Sequence, residues 1–197
     1  QLGNNSQVGS STAPVQVSGI TNAVQLVGGY HHCARLESDQ TWCWGYNSRG
    51  QLGDGSTTNR SAPVRVQNDT GFVEIAANYA NTCARKADGT VWCWGQNQSG
   101  QLGDGTDVDY RSTPTRVSGI ADASALALHG YYKACVIRAN QTMWCWGSNS
   151  EGQLGDGTTT NRNTPVQVAG LSQVTQMAVG GGGYSNFAST LSGLYAW

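Results

Sequence analysis

Written out from every Gln-Leu-Gly, the chain falls into four copies of one unit: residues 1–50, 51–100, 101–152 and 153–197. Rare residues keep register across the copies. All four prolines (Pro14, Pro63, Pro114, Pro165) share one position, the six cysteines share two, and the seven tryptophans share two. A unit this short cannot bury an apolar face alone and does so by stacking on its neighbours. The expectation is therefore one continuous array over residues 1–197, without an internal domain boundary.

Composition narrows what the array can do. Lysines and arginines total 11 against 12 aspartates and glutamates, so there is no basic footprint for nucleic acid. No apolar run approaches the roughly 18 residues of a membrane-spanning helix, and no charged-then-apolar leader is present. The chain opens on Gln1 instead of Met, which fits a processed chain or a segment of a longer one.

The second copy shows what each unit folds into. Residues 51–60 are turn chemistry, rich in Gly, Asp, Ser and Asn, which take positive φ or bond to nearby backbone. Pro63-Val64-Arg65-Val66 alternates like a short strand, with proline at its start where no ladder bond is lost. Phe72 to Ala77 is a second strand. Thr82 to Arg85 and Val91 to Trp94 flank Ala87-Asp88-Gly89 and read as a hairpin. No segment carries a helical period. The expectation is an all-β, propeller-type array of four blades, each of four short antiparallel strands, forming an open arc or part of a larger ring or filament.

The runs Trp44-Gly-Tyr-Asn-Ser-Arg-Gly-Gln-Leu-Gly53, Trp94-Gly-Gln-Asn-Gln-Ser-Gly-Gln-Leu-Gly103 and Trp146-Gly-Ser-Asn-Ser-Glu-Gly-Gln-Leu-Gly155, each followed by a Pro-Val-x-Val-like strand, resemble the regulator of chromosome condensation repeat family. The resemblance covers essentially the whole chain and implies a β-propeller, normally of seven blades. It implies no single activity. Family members include exchange factors for the small GTPase Ran, scaffolds and secreted bacterial inhibitors of β-lactamases, and fold does not fix function. With four copies instead of seven, the ends fall in phase, since Trp197 stops where the other copies run on into Gln-Leu-Gly.

Cys33 with Cys43, Cys83 with Cys93 and Cys135 with Cys145 share one spacing, and a short turn would set each pair opposite across a hairpin, close enough for a disulfide. The fourth copy has Phe187 and Ala196 instead: both cysteines are absent together, as bonded partners would be. Each bridge would contribute about 3 kcal/mol by loop closure and would argue for an oxidising compartment. Reduced core cysteines and zinc ligands are the alternatives. Zinc is disfavoured by the spacing, and His31, His32 and His129 do not fall in register as ligands.

Trp42 and Trp44 flank Cys43 and so point to the face opposite its sulfur; Trp92 with Trp94 and Trp144 with Trp146 repeat this, and Trp197 is the last of the series. Recurrence in every copy favours packing between blades over an aromatic binding ladder. Asp54 with Arg60, Asp104 with Arg111 and Asp156 with Arg162 come and go together, which suggests ion pairs bracing a loop. The rival is calcium held by Asp104, Asp107 and Asp109, but no complete calcium-loop pattern is present. Candidate glycan acceptors are Asn4, Asn59, Asn68, Asn97 and Asn140.

No phosphate loop, nucleophile constellation, cofactor site or metal cluster emerges, so an enzyme is not expected. The first functional expectation is a secreted, extracellular protein whose partner is itself, in an oligomer or head-to-tail filament, because repeat ends that neither close nor continue leave apolar faces and strand edges open. The second is a monomeric inhibitor or receptor that binds another protein through loop tips, with Tyr110, Tyr131 and Tyr132 as candidates. Exchange on a Ran-like GTPase is third. Nucleic acid and membrane insertion are not expected.

Overall fold

The structure is a computed structural model and describes residues 2–6, 10–130, 132–179 and 185–197. It is all-β, with four antiparallel sheets placed side by side as blades of an arc that does not close into a ring. The first blade holds β1 (Ala23–Gly28), β2 (His31–Leu36), β3 (Thr41–Gly45) and β4 (Arg60–Arg65). The second holds β5 (Phe72–Ala77), β6 (Asn81–Lys86), β7 (Val91–Gln96) and β8 (Tyr110–Arg116). The third holds β9 (Ala123–His129), β10 (Lys133–Arg138), β11 (Met143–Gly147) and β12 (Arg162–Gln167), and the fourth β13 (Val174–Val179), β14 (Asn186–Thr190) and β15 (Gly193–Ala196). Strands follow one another in sheet order within each blade. First strands of successive blades, β1 with β5, β5 with β9 and β9 with β13, are neighbours, so they line the inside of the arc.

The blades are offset from the sequence copies. Each Pro-Val strand was expected to open the blade of its own copy; instead it closes the preceding one, with β4 paired to β3, β8 to β7 and β12 to β11. The reason is steric and local. Gly53, Gly103 and Gly155 take positive φ and press against the indoles of Trp94, Trp146 and Trp197, where a Cβ would lie 2.7, 2.7 and 2.6 Å from the indole nitrogen. The chain thus touches the next blade at Gln-Leu-Gly and then turns back to complete the blade it left. Two consequences depart from the expected four-by-four count. The fourth blade has three strands, and Pro14-Val15-Gln16-Val17 in the first copy forms no strand among the described residues.

The core is a series of joints between blades. Cys33, Cys43, Leu52 and Val66 of one blade meet Phe72, Ile75, Ala84 and Trp94 of the next in one buried cluster. The same arrangement recurs with Cys83, Cys93, Leu102 and Val117 against Leu126, Ala134 and Trp146, and with Cys135, Cys145, Leu154 and Val168 against Val174, Ala188 and Trp197. Each blade therefore has a forward face carrying the cysteines and a backward face carrying the tryptophans, as alternation along a strand requires.

Candidate interaction site

The three cysteine pairs stand directly opposite each other across β2–β3, β6–β7 and β10–β11. All three are disulfide-bonded, with Cα–Cα separations of 4.1 Å, and no cysteine is free. In the fourth blade Phe187 and Ala196 face each other in the equivalent register. The second tryptophan of each pair is buried; Trp94 and Trp146 each donate an indole N–H to the main-chain oxygen of Gln51 and Gln101 in the loop from the preceding blade. The first tryptophans are half-buried in the same joints, and Lys86 and Arg138 lie 4.9 and 5.0 Å over the rings of Trp92 and Trp144.

The long loop between third and fourth strands is built on one asparagine. Asn47 accepts from the Leu52 N–H and donates to Asp54 Oδ1 and the carbonyls of Ser56 and Thr58. Asn149 repeats the pattern with Leu154, Asp156, Thr158 and Thr160, and Asn97 bonds to Leu102 and Thr106. These asparagines lie inside the repeated motif, but the sequence assigned no role to Asn47 and Asn149 and offered Asn97 only as a glycan acceptor. Their full burial corrects one expectation: Asn97 cannot carry a glycan, because its amide is enclosed and bonded to its own loop. Asn4 is half-buried, while Asn59, Asn68 and Asn140 are exposed.

The acidic partners sit beside these asparagines. Arg60 and Arg162 approach Asp54 and Asp156 to 2.8 and 2.7 Å, and Arg111 approaches Asp104 to 3.2 Å. Burial alone would raise the Asp156 carboxyl, but bonds from Thr158, Arg162 and Asn149 outweigh it and hold the group down at about 2. Asp54 is lowered by the same balance, burial opposing and Ser56 and Arg60 prevailing. Asp107 accepts from Asn163 Nδ2 instead of joining a ligand set, and among the described residues no three acids, histidines or cysteines converge on a metal position.

Inner turns carry a second cluster. Tyr30 stacks edge-on against Tyr79 at 4.4 Å and lies 6.4 Å from Tyr46. Tyr132, half-buried, occupies the corresponding turn of the third blade with φ at +78°. Tyr131 lies outside the described residues, and Tyr110 begins strand β8 opposite Gln96 instead of sitting at a loop tip. Behind these turns His31 is fully buried. Thr82 gives its hydroxyl proton to the Gln51 oxygen and so accepts from His31 Nε2, at 2.6 Å. Burial, reinforced by His32, pulls the His31 imidazole down to about 3. Lys133, at the same strand position, donates to Asn186 Oδ1, and burial lowers its ammonium to about 8.

The two end blades differ most from the interior. On the backward face of the first blade Leu26 is 69% exposed, whereas its counterparts Ile75 and Leu126 in the next two blades are 2% and 7% exposed. On the last blade Leu194 is 73% exposed, while its counterparts Thr41, Val91 and Met143 are fully buried beneath a fourth strand. Phe187 is 41% exposed where the other blades bury a disulfide. Residues 10–16, which hold the first Pro-Val segment, are also exposed.

Stacked four-stranded antiparallel blades, joined by strands that reach back across each joint, define a β-propeller-type repeat protein. The regulator of chromosome condensation (RCC1) repeat model matches residues 38–84, 88–135 and 141–184, and a second model of the same description matches 72–101 and 125–153. This chain belongs to the regulator of chromosome condensation repeat family. Human HERC2, an E3 ubiquitin-protein ligase, is 32% identical over 138 residues, which is 68% of this chain and 3% of that protein. Human HERC4, a probable E3 ubiquitin-protein ligase, is 32% identical over 87 residues, 43% of this chain and 8% of that one. The chain thus spans only a small fraction of these relatives. Among solved structures, human WBSCR16 superposes with a TM-score of 0.77 at 24% identity, over 89% of this chain and 47% of that one. Prp20p of Saccharomyces cerevisiae superposes with a TM-score of 0.71 at 25% identity, over 86% and 42%.

Proposed function

We propose that this array is a secreted contact module, without catalytic activity, whose partner is a second copy of the same chain. The observation that carries this reading is the exposure at the two ends: Leu26 is open where Ile75 and Leu126 are buried, and Leu194 is open where Thr41, Val91 and Met143 are buried. Repeat arrays gain stability from each joint they form, and an exposed apolar blade face beside an open strand edge is a template for association. Three disulfides with no free cysteine support an oxidising compartment. The recurrent buried polar groups, Asn47, Asn97 and Asn149, hold loops instead of facing a cleft, which supports a contact role. Protein partners are also met by this fold elsewhere: yeast RCC1 (Prp20) has been solved with Kap60 bound.

Sedimentation velocity and negative-stain microscopy of the non-reduced chain, from submicromolar to tens of micromolar, test this reading. Multi-chain rings or filaments that grow with concentration are the expected result. A monomer throughout the range removes it. The tyrosines of the inner turns favour a second reading, a monomeric module that binds another protein. Changing Tyr30, Tyr79 and Tyr132 to Ala should then abolish partner binding without lowering the melting temperature.

A further inference from the structure

The three joints between blades share one buried polar position and fill it differently. His31, Asn81 and Lys133 stand two residues before Cys33, Cys83 and Cys135. They pair with Gly45, Gly95 and Gly147, and all three are buried. Strand alternation puts each on the cysteine face, toward the next blade. On that next blade the facing residue is Thr82, Ala134 or Asn186, and beside it lies the main-chain oxygen of Gln51, Gln101 or Gln153. In the first joint Thr82 bridges the two groups, accepting from His31 Nε2 at 2.6 Å and donating to the Gln51 carbonyl at 2.7 Å. In the last joint Asn186 does so, accepting from Lys133 Nζ at 2.6 Å and donating to the Gln153 carbonyl.

The middle joint has no such side chain. Its bridging position is Ala134, which pairs with Trp146 as Thr82 pairs with Trp94. Asn81, 1% exposed, turns its Nδ2 back to the Gln96 carbonyl. A carbonyl only accepts, so this bond fixes the amide and leaves Oδ1 for the joint. Among the described residues that Oδ1 accepts no hydrogen bond. The Gln101 carbonyl accepts from the Trp146 indole at 3.0 Å, but Ala134 cannot give it the second bond that Thr82 gives to Gln51. Leu128, cross-strand from Ala134 and buried, adds apolar surface and no donor. Buried acceptors of this kind are nearly always satisfied, by protein or by ordered water.

We infer that the middle joint is a binding site for one buried water, which donates to Asn81 Oδ1 and to the Gln101 carbonyl where the neighbouring joints use a side chain. Both oxygens are acceptors, so the ligand must bring two hydrogens, and a serine or threonine hydroxyl could serve only one of them. A buried water makes about three bonds, of which these oxygens provide two. A calcium or magnesium ion would need about six oxygens. The site lies wholly between Asn81 and Trp146, in the joint flanked by the other two, and does not depend on whether chains associate.

A crystal structure of the unmodified chain, at a resolution that shows ordered solvent, tests this directly. One solvent peak within hydrogen-bond distance of both Asn81 Oδ1 and the Gln101 oxygen is expected; protein packed without a break at that point overturns the inference. Variants test it in solution. Ala134→Asn with Leu128→Val installs the pair that stands in register at 186 and 179, and the new amide has two hydrogens, one for each oxygen. Ala134→Leu with Leu128→Val gives a similar shape without a donor. The first variant should melt above the second by about 4–8 °C, the worth of two buried bonds in a chain this long, and its crystals should lack the solvent peak. Equal melting temperatures, or a solvent peak that persists in the Ala134→Asn variant, overturn the site.

Discussion

Removing the middle bridge, with Cys83 and Cys93 both changed to Ala, tests how the joints are held. Two terms set the magnitude. The cysteines are 10 residues apart, and loop closure over that length gives about 2.7 kcal/mol in the chain-entropy model. Both sulfurs are also fully buried against Leu126, Ala134 and Trp146 of the next blade, and emptying that space adds roughly 1 kcal/mol. The total is about 3–4 kcal/mol. For a chain of this length each kcal/mol moves the melting temperature by about 2–4 °C, so calorimetry of the non-reduced variant should show a fall of roughly 6–16 °C. The effect should concentrate at the joint between second and third blades, with faster amide exchange in β6, β7 and β9 than in β10 and β11. A fall of less than about 2 °C would refute the reasoning. It would mean that the hairpin already restrains the unfolded chain as tightly as the bridge does, and that the sulfurs fill no space of consequence.

Asn149→Ala should cost about 2–4 kcal/mol in chemical denaturation, because the Leu154 N–H and the carbonyls of Thr158 and Thr160 lose a partner together; Asn149→Asp cannot rescue it, since those two carbonyls need a donor. Gly103→Ala should cost about 2 kcal/mol or more, because the backbone is at φ +66° and the new methyl meets the Trp146 indole. The acid limb of stability should carry a His31 signature. With the folded-state pKa depressed to about 3 from 6.5, the unfolded chain takes up a proton first as pH falls below 6.5. Stability then declines down to pH 3, by on the order of 4 kcal/mol. His31→Asn, the residue found at the equivalent position 81, should flatten that slope, leaving acid loss below pH 4 to carboxylates such as Asp156, whose depressed pKa makes it lose its contribution progressively from about pH 4 down to about pH 2.

Much of this fold is legible in the sequence because it is written several times. A single Cys-x9-Cys is ambiguous, but three copies and one joint absence at Phe187 and Ala196 point to partners. Asp54, Asp104 and Asp156 vary in step with Arg60, Arg111 and Arg162 in the same way, and the structure places each pair in contact. What repetition hides is phase. Any frame of about fifty residues describes the sequence equally well, so nothing in it says that Pro63 belongs to the sheet of Trp42 and not to that of Phe72. That depends on the long-range contact of Gly53 with Trp94. Asn47, Asn97 and Asn149 escaped for a related reason: asparagine beside glycine reads as ordinary turn chemistry, and burial is what separates a loop's internal scaffold from its surface. His31 and Lys133 occupy one structural position with dissimilar side chains, so no recurrence marks them.

The offset between copy and blade also bears on how such chains lengthen. Because every copy ends one sheet and begins the next, duplicating any fifty-residue stretch of the gene, cut at any point, inserts a unit that already carries its own clasp to both neighbours. Deleting one leaves the flanking pieces equally matched. Blade number is therefore free to drift by unequal recombination without a misfolded intermediate, and a short member and a long one can differ in count while sharing every joint.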